Sequence, residues 1–167
     1  MTFKPKTIYI DMDGVMAVWQ KEKCIEEVAQ KGYFRNLPAM ENVIETVRKL
    51  INTEWLRVCT LSSVFKDKHS AGDKMYWLQN TLPEMKAEDI FFVPYGENKS
   101  DYVICNKNSY LIDDLSLNLH DWERSGGVGI KMYNGINGTN GTWKGFSVRS
   151  DMDPDKMYKQ IIGIIGI

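Results

Sequence analysis

Residues 7–14, TIYIDMDG, set a β-branched and aromatic run directly before two carboxylates one residue apart and then a glycine. The run has the make-up of a short buried strand, and unpaired charge is too costly inside one, so the strand must end at Asp11. The pattern recurs. Residues 55–61, WLRVCTL, run into Ser62 and Ser63; residues 90–93, IFFV, lead to a polar loop holding Lys99; residues 110–112, YLI, run into Asp113 and Asp114. A fifth run covers residues 128–132. Between these lie helical patterns: residues 20–31, charged and closed by Gly32; residues 41–50, with Val43, Ile44, Val47 and Leu50 at helical spacing; and residues 73–82, stopped by Pro83. Strands alternating with helices predict an α/β fold, a Rossmann-like parallel sheet of about five strands with helices on both faces.

At 167 residues, with 43% apolar and 26% charged side chains, the chain can bury one ordinary core, and a single domain over residues 1–167 is expected. A formal net charge of -1 gives no general attraction to a nucleic-acid polymer or an anionic membrane, so any anionic ligand must be held by locally placed groups. Cys24, Cys59 and Cys105 are odd in number and scattered, which reads as reduced core thiols in a cytoplasmic protein. Asp11 and Asp13 interrupt the N-terminal apolar run too early for a signal peptide, and the terminal IIGIIGI is too short to span a bilayer. The Asn-Gly-rich residues 134–145 predict a surface loop or hairpin, and residues 154–162 a last helix. Met16, Trp55, Trp77 and Trp122 read as core or interface, and His69 and His120 as surface or helix-terminal groups.

In an open parallel sheet, ligands sit beyond the carboxyl ends of the strands, so the four polar strand exits share one rim. Side chains alternate along extended chain, which lets Asp11 and Asp13 share a side while Met12 turns away. Carboxylates so close repel unless a cation lies between them. Hard oxygen ligands, with a third from Asp113 or Asp114, suit Mg²⁺, while hydroxyls and a lysine suit a phosphate. Singly, each piece has a structural reading: Asp13-Gly14 as a turn, the acid and serine pairs as helix caps, Lys99 as a solvated side chain. Jointly, four such groups in order at four strand exits point to acid, metal and phosphate chemistry.

DMDGV, a hydroxyl at a strand end, a lysine and then LIDD resemble the four-part signature of the haloacid dehalogenase (HAD) superfamily of phosphotransferases. More narrowly, IDMDGVMAVW, GYFRNLPAM, LSS, the KMYWL helix, NKSDY and YLIDD are similar to the 5'(3')-deoxyribonucleotidase family and its bacterial and phage relatives, over about residues 6–133. The resemblance implies that Asp11 is the nucleophile, forming a phosphoaspartate, and that Asp13 protonates the leaving oxygen and later activates water. It implies Mg²⁺ held by the Asp11 carboxylate, the Asp13 main-chain carbonyl and Asp114, with Asp113 in support. Ser62, joined by Ser63, would hydrogen-bond a phosphoryl oxygen, and Lys99 would offset charge.

The cap that sets substrate choice in this superfamily is here a small insertion, residues 15–35 with about one helix, where the compared nucleotidases carry a larger one. Trp19 stands where the family has an aromatic able to stack on a base, and it reads equally as a core residue starting the cap. Tyr33, Phe34 and Arg35 could close over a ligand or form a packed return loop. Val18 replaces an acid common in the relatives, and Leu115 a basic residue. The expected function is Mg²⁺-dependent hydrolysis of a small-molecule phosphomonoester, a nucleoside or deoxynucleoside monophosphate first, with a sugar phosphate as the alternative. A receiver-like regulatory domain uses similar groups but places its acid pair first and its accepting Asp in the middle. An open site also leaves room for a homodimer in which a second subunit covers it.

Overall fold

The computed structural model describes residues 6–19, 24–136 and 141–167. Six strands form one sheet: β1 (Lys6–Ile10), β2 (Leu56–Val64), β3 (Ile90–Pro94), β4 (Ser109–Asp113), β5 (Val128–Tyr133) and β6 (Phe146–Arg149). They run in the order β3-β2-β1-β4-β5-β6, and every pairing is parallel. The order reverses next to β1, which makes the crevice at its carboxyl end the natural ligand site. It also separates the chain from receiver domains, whose sheets run 2-1-3-4-5.

The helices are α1 (Ile25–Val28), α2 (Glu41–Ile51), α3 (Ser70–Thr81), α4 (Ser116–Arg124) and α5 (Pro154–Ile165). Alternation along β1 explains the two cores. Ile8 and Ile10 enter the larger one with Val43, Ile44 and Val47 of α2 and Met157 and Ile161 of α5; Tyr9 enters the other with Leu119 and Trp122 of α4. Full burial of one such aliphatic side chain stabilises by about 1.5–3 kcal/mol, so each face is fixed by several contributions of that size. α5 is delimited by chemistry legible in its sequence: Asp153 accepts the Lys156 N–H at 3.1 Å, Pro154 takes the first turn, and Gly166 leaves at φ 74°.

Several expectations are corrected. β5 and β6 are parallel, so the hairpin alternative for residues 134–145 is excluded and the loop alternative stands; residues 137–140 of that segment, like 20–23 of the expected cap helix, lie outside the described residues. The described part of the cap helix is the single turn of α1, followed by turns through residue 33. The sheet gains a sixth strand beyond the expected five. Trp55 lies outside β2, with φ 65° and 67% exposure, so it is not a core residue. Cys59 is buried as expected, but Cys24 is exposed; all three thiols are free. Among the described residues no helix is long and apolar enough to cross a membrane.

Candidate active site

Register brings the strand exits to one height. Ile10 pairs with Thr60 of β2 and Ile112 of β4, and the Asp11 N–H donates to the Ile112 carbonyl at 3.0 Å. Asp11 therefore leaves the sheet between the serines ending β2 and the acids ending β4. After it the chain turns sharply: the N–H groups of Met16 and Ala17 both donate to the Met12 carbonyl, at 2.9 and 2.8 Å. Gly14 is required at this turn for two reasons. Its φ is +74°, and a Cβ there would overlap the Asp114 carboxylate. Asn134, just past β5, closes the junction by donating to the Gly14 carbonyl at 2.7 Å and to Asp114 Oδ2 at 3.1 Å.

Two buried lysines divide the acids between them. Lys99 Nζ donates to Asp113 Oδ2 at 2.7 Å and lies 3.1 Å from Asp11 Oδ1. Burial alone would lower its ammonium, but Asp11 and Asp113 outweigh that and hold it above the ordinary lysine range. Lys74, on α3 and 1% exposed, forms an ion pair with Asp13 Oδ2 and donates to Ser62 Oγ at 3.1 Å and to the Ser63 carbonyl at 2.5 Å. Its ammonium also lies 4.4 Å from the centre of the Phe34 ring. Burial raises the Asp13 carboxyl above the ordinary carboxylate range; Lys74 opposes the shift and Asp11 adds to it. Asp113 is raised for the same first reason, with Lys99 opposing.

The residues present fit a divalent cation. Carboxylate oxygens of Asp11, Asp113 and Asp114 lie within 4.8 Å of one another, all buried. Asp11 Oδ1 and Asp13 Oδ1 are buried without an aligned hydrogen-bond donor, although Lys99 is close to the first. Both oxygens of Asp113 are engaged: Oδ1 accepts the Leu115 N–H at 2.8 Å, and Oδ2 accepts Lys99 and, at 2.9 Å, Asn118. Hard oxygens with incomplete hydrogen bonding and surplus negative charge are what Mg²⁺ takes. Lys131, buried in β5 opposite Asp113, donates to the Asp114 carbonyl, and burial lowers its ammonium below the usual range against the pull of Asp114 and Asp113.

These groups open on a cleft of about 250 Å³ lined by Asp11, Asp13, Ser63, Lys74, Asp114 and Asn118 on its polar side and by Trp19, Phe34, Phe65, Tyr95 and Leu115 on its apolar side. The structure thus brings together Asp11, Asp13, Ser63, Asp114 and Trp19 on the cleft, with Ser62, Lys99 and Asp113 buried behind it. Trp19 lines the cleft and packs against the core, edge-on to Tyr33 at 6.3 Å. Arg35 turns away and stacks on Tyr76 at 3.8 Å. Lys74, Lys131, Asn118 and Asn134 lie outside the residues that the sequence motifs single out. A signal existed for Lys74, because it falls on the face that α3 buries, with Ser70, Trp77 and Leu78.

The family described as "5' nucleotidase, deoxy (Pyrimidine), cytosolic type C protein" matches residues 15–141. The chain belongs to this family. The matched span begins just after Asp11 and Asp13 and includes the β2, Lys99 and β4 exits. No curated protein matches the chain. Among solved structures it is similar to D,D-heptose 1,7-bisphosphate phosphatase from Burkholderia thailandensis, at 14% identity and a TM-score of 0.61, covering 95% of this chain and 98% of that one. The same phosphatase from B. bronchiseptica, complexed with magnesium and phosphate, is 12% identical with a TM-score of 0.63, covering 95% and 99%. Fold and family agree: this nucleotidase-family protein is a HAD-like phosphatase.

Proposed function

We propose that the protein is a 5'-nucleotidase that hydrolyses nucleoside or deoxynucleoside monophosphates through a phosphoaspartate on Asp11. The observation that carries this reading is the paired arrangement of Asp11 beside Lys99 and Asp13 beside Lys74 at the floor of one cleft. Asp11 attacks phosphorus while the bond to the leaving oxygen breaks, and Asp13, whose burial favours its protonated form, gives that oxygen its proton. The same carboxylate then takes a proton from water, which attacks the phosphoryl group and frees Asp11 as phosphate departs. Lys74 donates to Ser62 Oγ, so the Ser62 hydroxyl hydrogen is left to donate toward a phosphoryl oxygen, with Ser63 beside it on the cleft wall. Lys99, 3.1 Å from Asp11 Oδ1, holds that carboxylate in place.

Asp11, Asp114 and the main-chain carbonyl of Asp13 are the proposed Mg²⁺ ligands, and Asp113, both of whose oxygens are already engaged, orients Lys99 and the turn into α4. Bound there, the cation offsets the negative charge of the acids and of the phosphoryl oxygens. The residues 15–35 act as a small cap, and the family's description as a cytosolic type, together with three free thiols, supports a cytoplasmic location. The test is phosphate release from a panel of nucleotides and sugar phosphates, with Mg²⁺ and with chelator. Nucleotide turnover that needs Mg²⁺ and vanishes in Asp11→Asn is expected. Turnover of sugar phosphates alone would transfer the same chemistry to the alternative substrate class.

A further inference from the structure

Phe65 and Tyr95 line the same cleft as Asp11 and Asp13, and the chemistry above leaves both unused. Phe65 is the first residue after β2 and Tyr95 the first after β3. The Tyr95 N–H donates to the Val64 carbonyl at 2.8 Å, which carries the β2–β3 ladder one step past the strands and sets the two side chains next to each other. Their ring centroids are 4.8 Å apart with planes inclined at 42°. Phe65 is half-buried and leans on the buried Phe34 at 6.1 Å, so it is fixed from behind. Tyr95 rests on Phe65 yet is 63% exposed. An aromatic side chain usually buries about 150–250 Å² when it packs, so a ring left mostly in water at the mouth of a catalytic cleft is area held ready for a ligand.

We propose that Phe65 and Tyr95 form the platform on which the base of the nucleotide stacks while its phosphate lies at Asp11, which makes them specificity-determining residues. This assignment rests on the nucleotidase reading and goes beyond it, because it takes base recognition away from the cap and gives it to the rim of the sheet. The described cap is only one helical turn, whereas the platform stands on two strand ends whose backbones the ladder holds together. A sugar phosphate has no flat ring to stack and gains nothing from the platform. Trp19 stands at the far end of the same run of rings, joined through Tyr33 and Phe34 at 6.3 and 5.1 Å, and is the competing base contact.

The test compares kcat/KM for deoxynucleoside monophosphates with kcat/KM for 2-deoxyribose 5-phosphate in wild type, Tyr95→Ala, Tyr95→Phe, Phe65→Leu and Trp19→Ala. Loss of one base stack is worth about tenfold, so the nucleotide-to-sugar ratio falls by about that factor in Tyr95→Ala and by less in Phe65→Leu. Tyr95→Phe keeps the ring and keeps the ratio. An unchanged ratio in Tyr95→Ala, or a fall seen only in Trp19→Ala, overturns the platform while leaving nucleotide hydrolysis intact. A wild type that hydrolyses the sugar phosphate and no nucleotide overturns the underlying reading as well.

Discussion

The two sides of the cleft are built to different standards. On the acid side Asp11, Asp113, Asp114 and Lys99 are each less than 10% exposed and locked by ion pairs, strand register and the Gly14–Asn134 junction. On the aromatic side Trp19 and Phe65 are half-buried, Tyr95 is mostly in water, and the wall is held by ring contacts and a short return loop. Chemistry needs groups placed before the substrate arrives, because reorganising charge during the reaction is costly. Recognition of a flat ring needs only area, which tolerates a looser frame. The comparison teaches that reaction type is written into buried, ion-paired strand exits, while substrate choice is written into the partly exposed rings at the cleft's rim.

The difference can be broken from the acid side first. Asp13→Asn keeps an acceptor for Lys74 but cannot shuttle a proton, so kcat falls by about 10²–10⁴ while KM changes little; steady-state kinetics decide this, and a matching rise in KM would deny Asp13 its role. Lys99→Met leaves Asp11 and Asp113 buried without their cation, which destabilises the metal-free protein by about 3–5 kcal/mol in urea unfolding. A loss no larger than that of an exposed lysine would show the pair to be unimportant.

Metal and pH sharpen the same contrast. Asp13 and Asp113 hold their protons above the ordinary carboxylate range, so the folded state binds those protons more tightly than the unfolded chain does. Raising pH from about 4 through those pKa values therefore removes stability from the metal-free protein. A cation bound beside these carboxyls disfavours the same protons electrostatically, so the stabilisation on adding Mg²⁺ grows from pH 5 to pH 8 and reaches about 2.7 kcal/mol at a hundredfold excess over Kd. A Tm gain independent of pH would place the ion elsewhere.

The smallest effect is expected on the aromatic side. Asp73 accepts the Gly32 N–H at 2.5 Å, and Trp77 donates to the Leu37 carbonyl at 2.8 Å, so α3 ties down the loop that carries Phe34. Asp73→Ala loses one such tie, worth about 1 kcal/mol, and raises KM about fivefold with kcat nearly unchanged. A large loss of kcat would mean that the loop takes part in the chemistry.

Much of the acid side was legible in the sequence, because an unpaired charge is too costly inside a buried strand and an acid or hydroxyl pair after an apolar run marks its exit. The order of exits, with Asp11 first and Asp113-Asp114 last, was enough to choose between a phosphatase and a receiver before any register was known. Lys74 was hidden because a helical lysine is solvated by default, and only its phase with Trp77 and Leu78 marks it as buried. Phe65 and Tyr95 belong to different strand exits, and nothing local in either loop announces that a ladder bond will set them side by side. Trp55 misled because a tryptophan before a strand resembles its first core residue, while a left-handed backbone turns this one outward.

The central claim is that Asp11 becomes covalently phosphorylated. Acid quenching of the protein during turnover of a deoxynucleoside monophosphate, followed by peptide mapping, tests it most directly. A phosphoryl group on the peptide carrying Asp11, absent in Asp11→Asn and accumulating in Asp13→Asn if protonation of the leaving group is the easier half, is the predicted result. Full turnover with no phosphoryl group on Asp11 at any quench time, together with an active Asp11→Asn variant, would contradict the account.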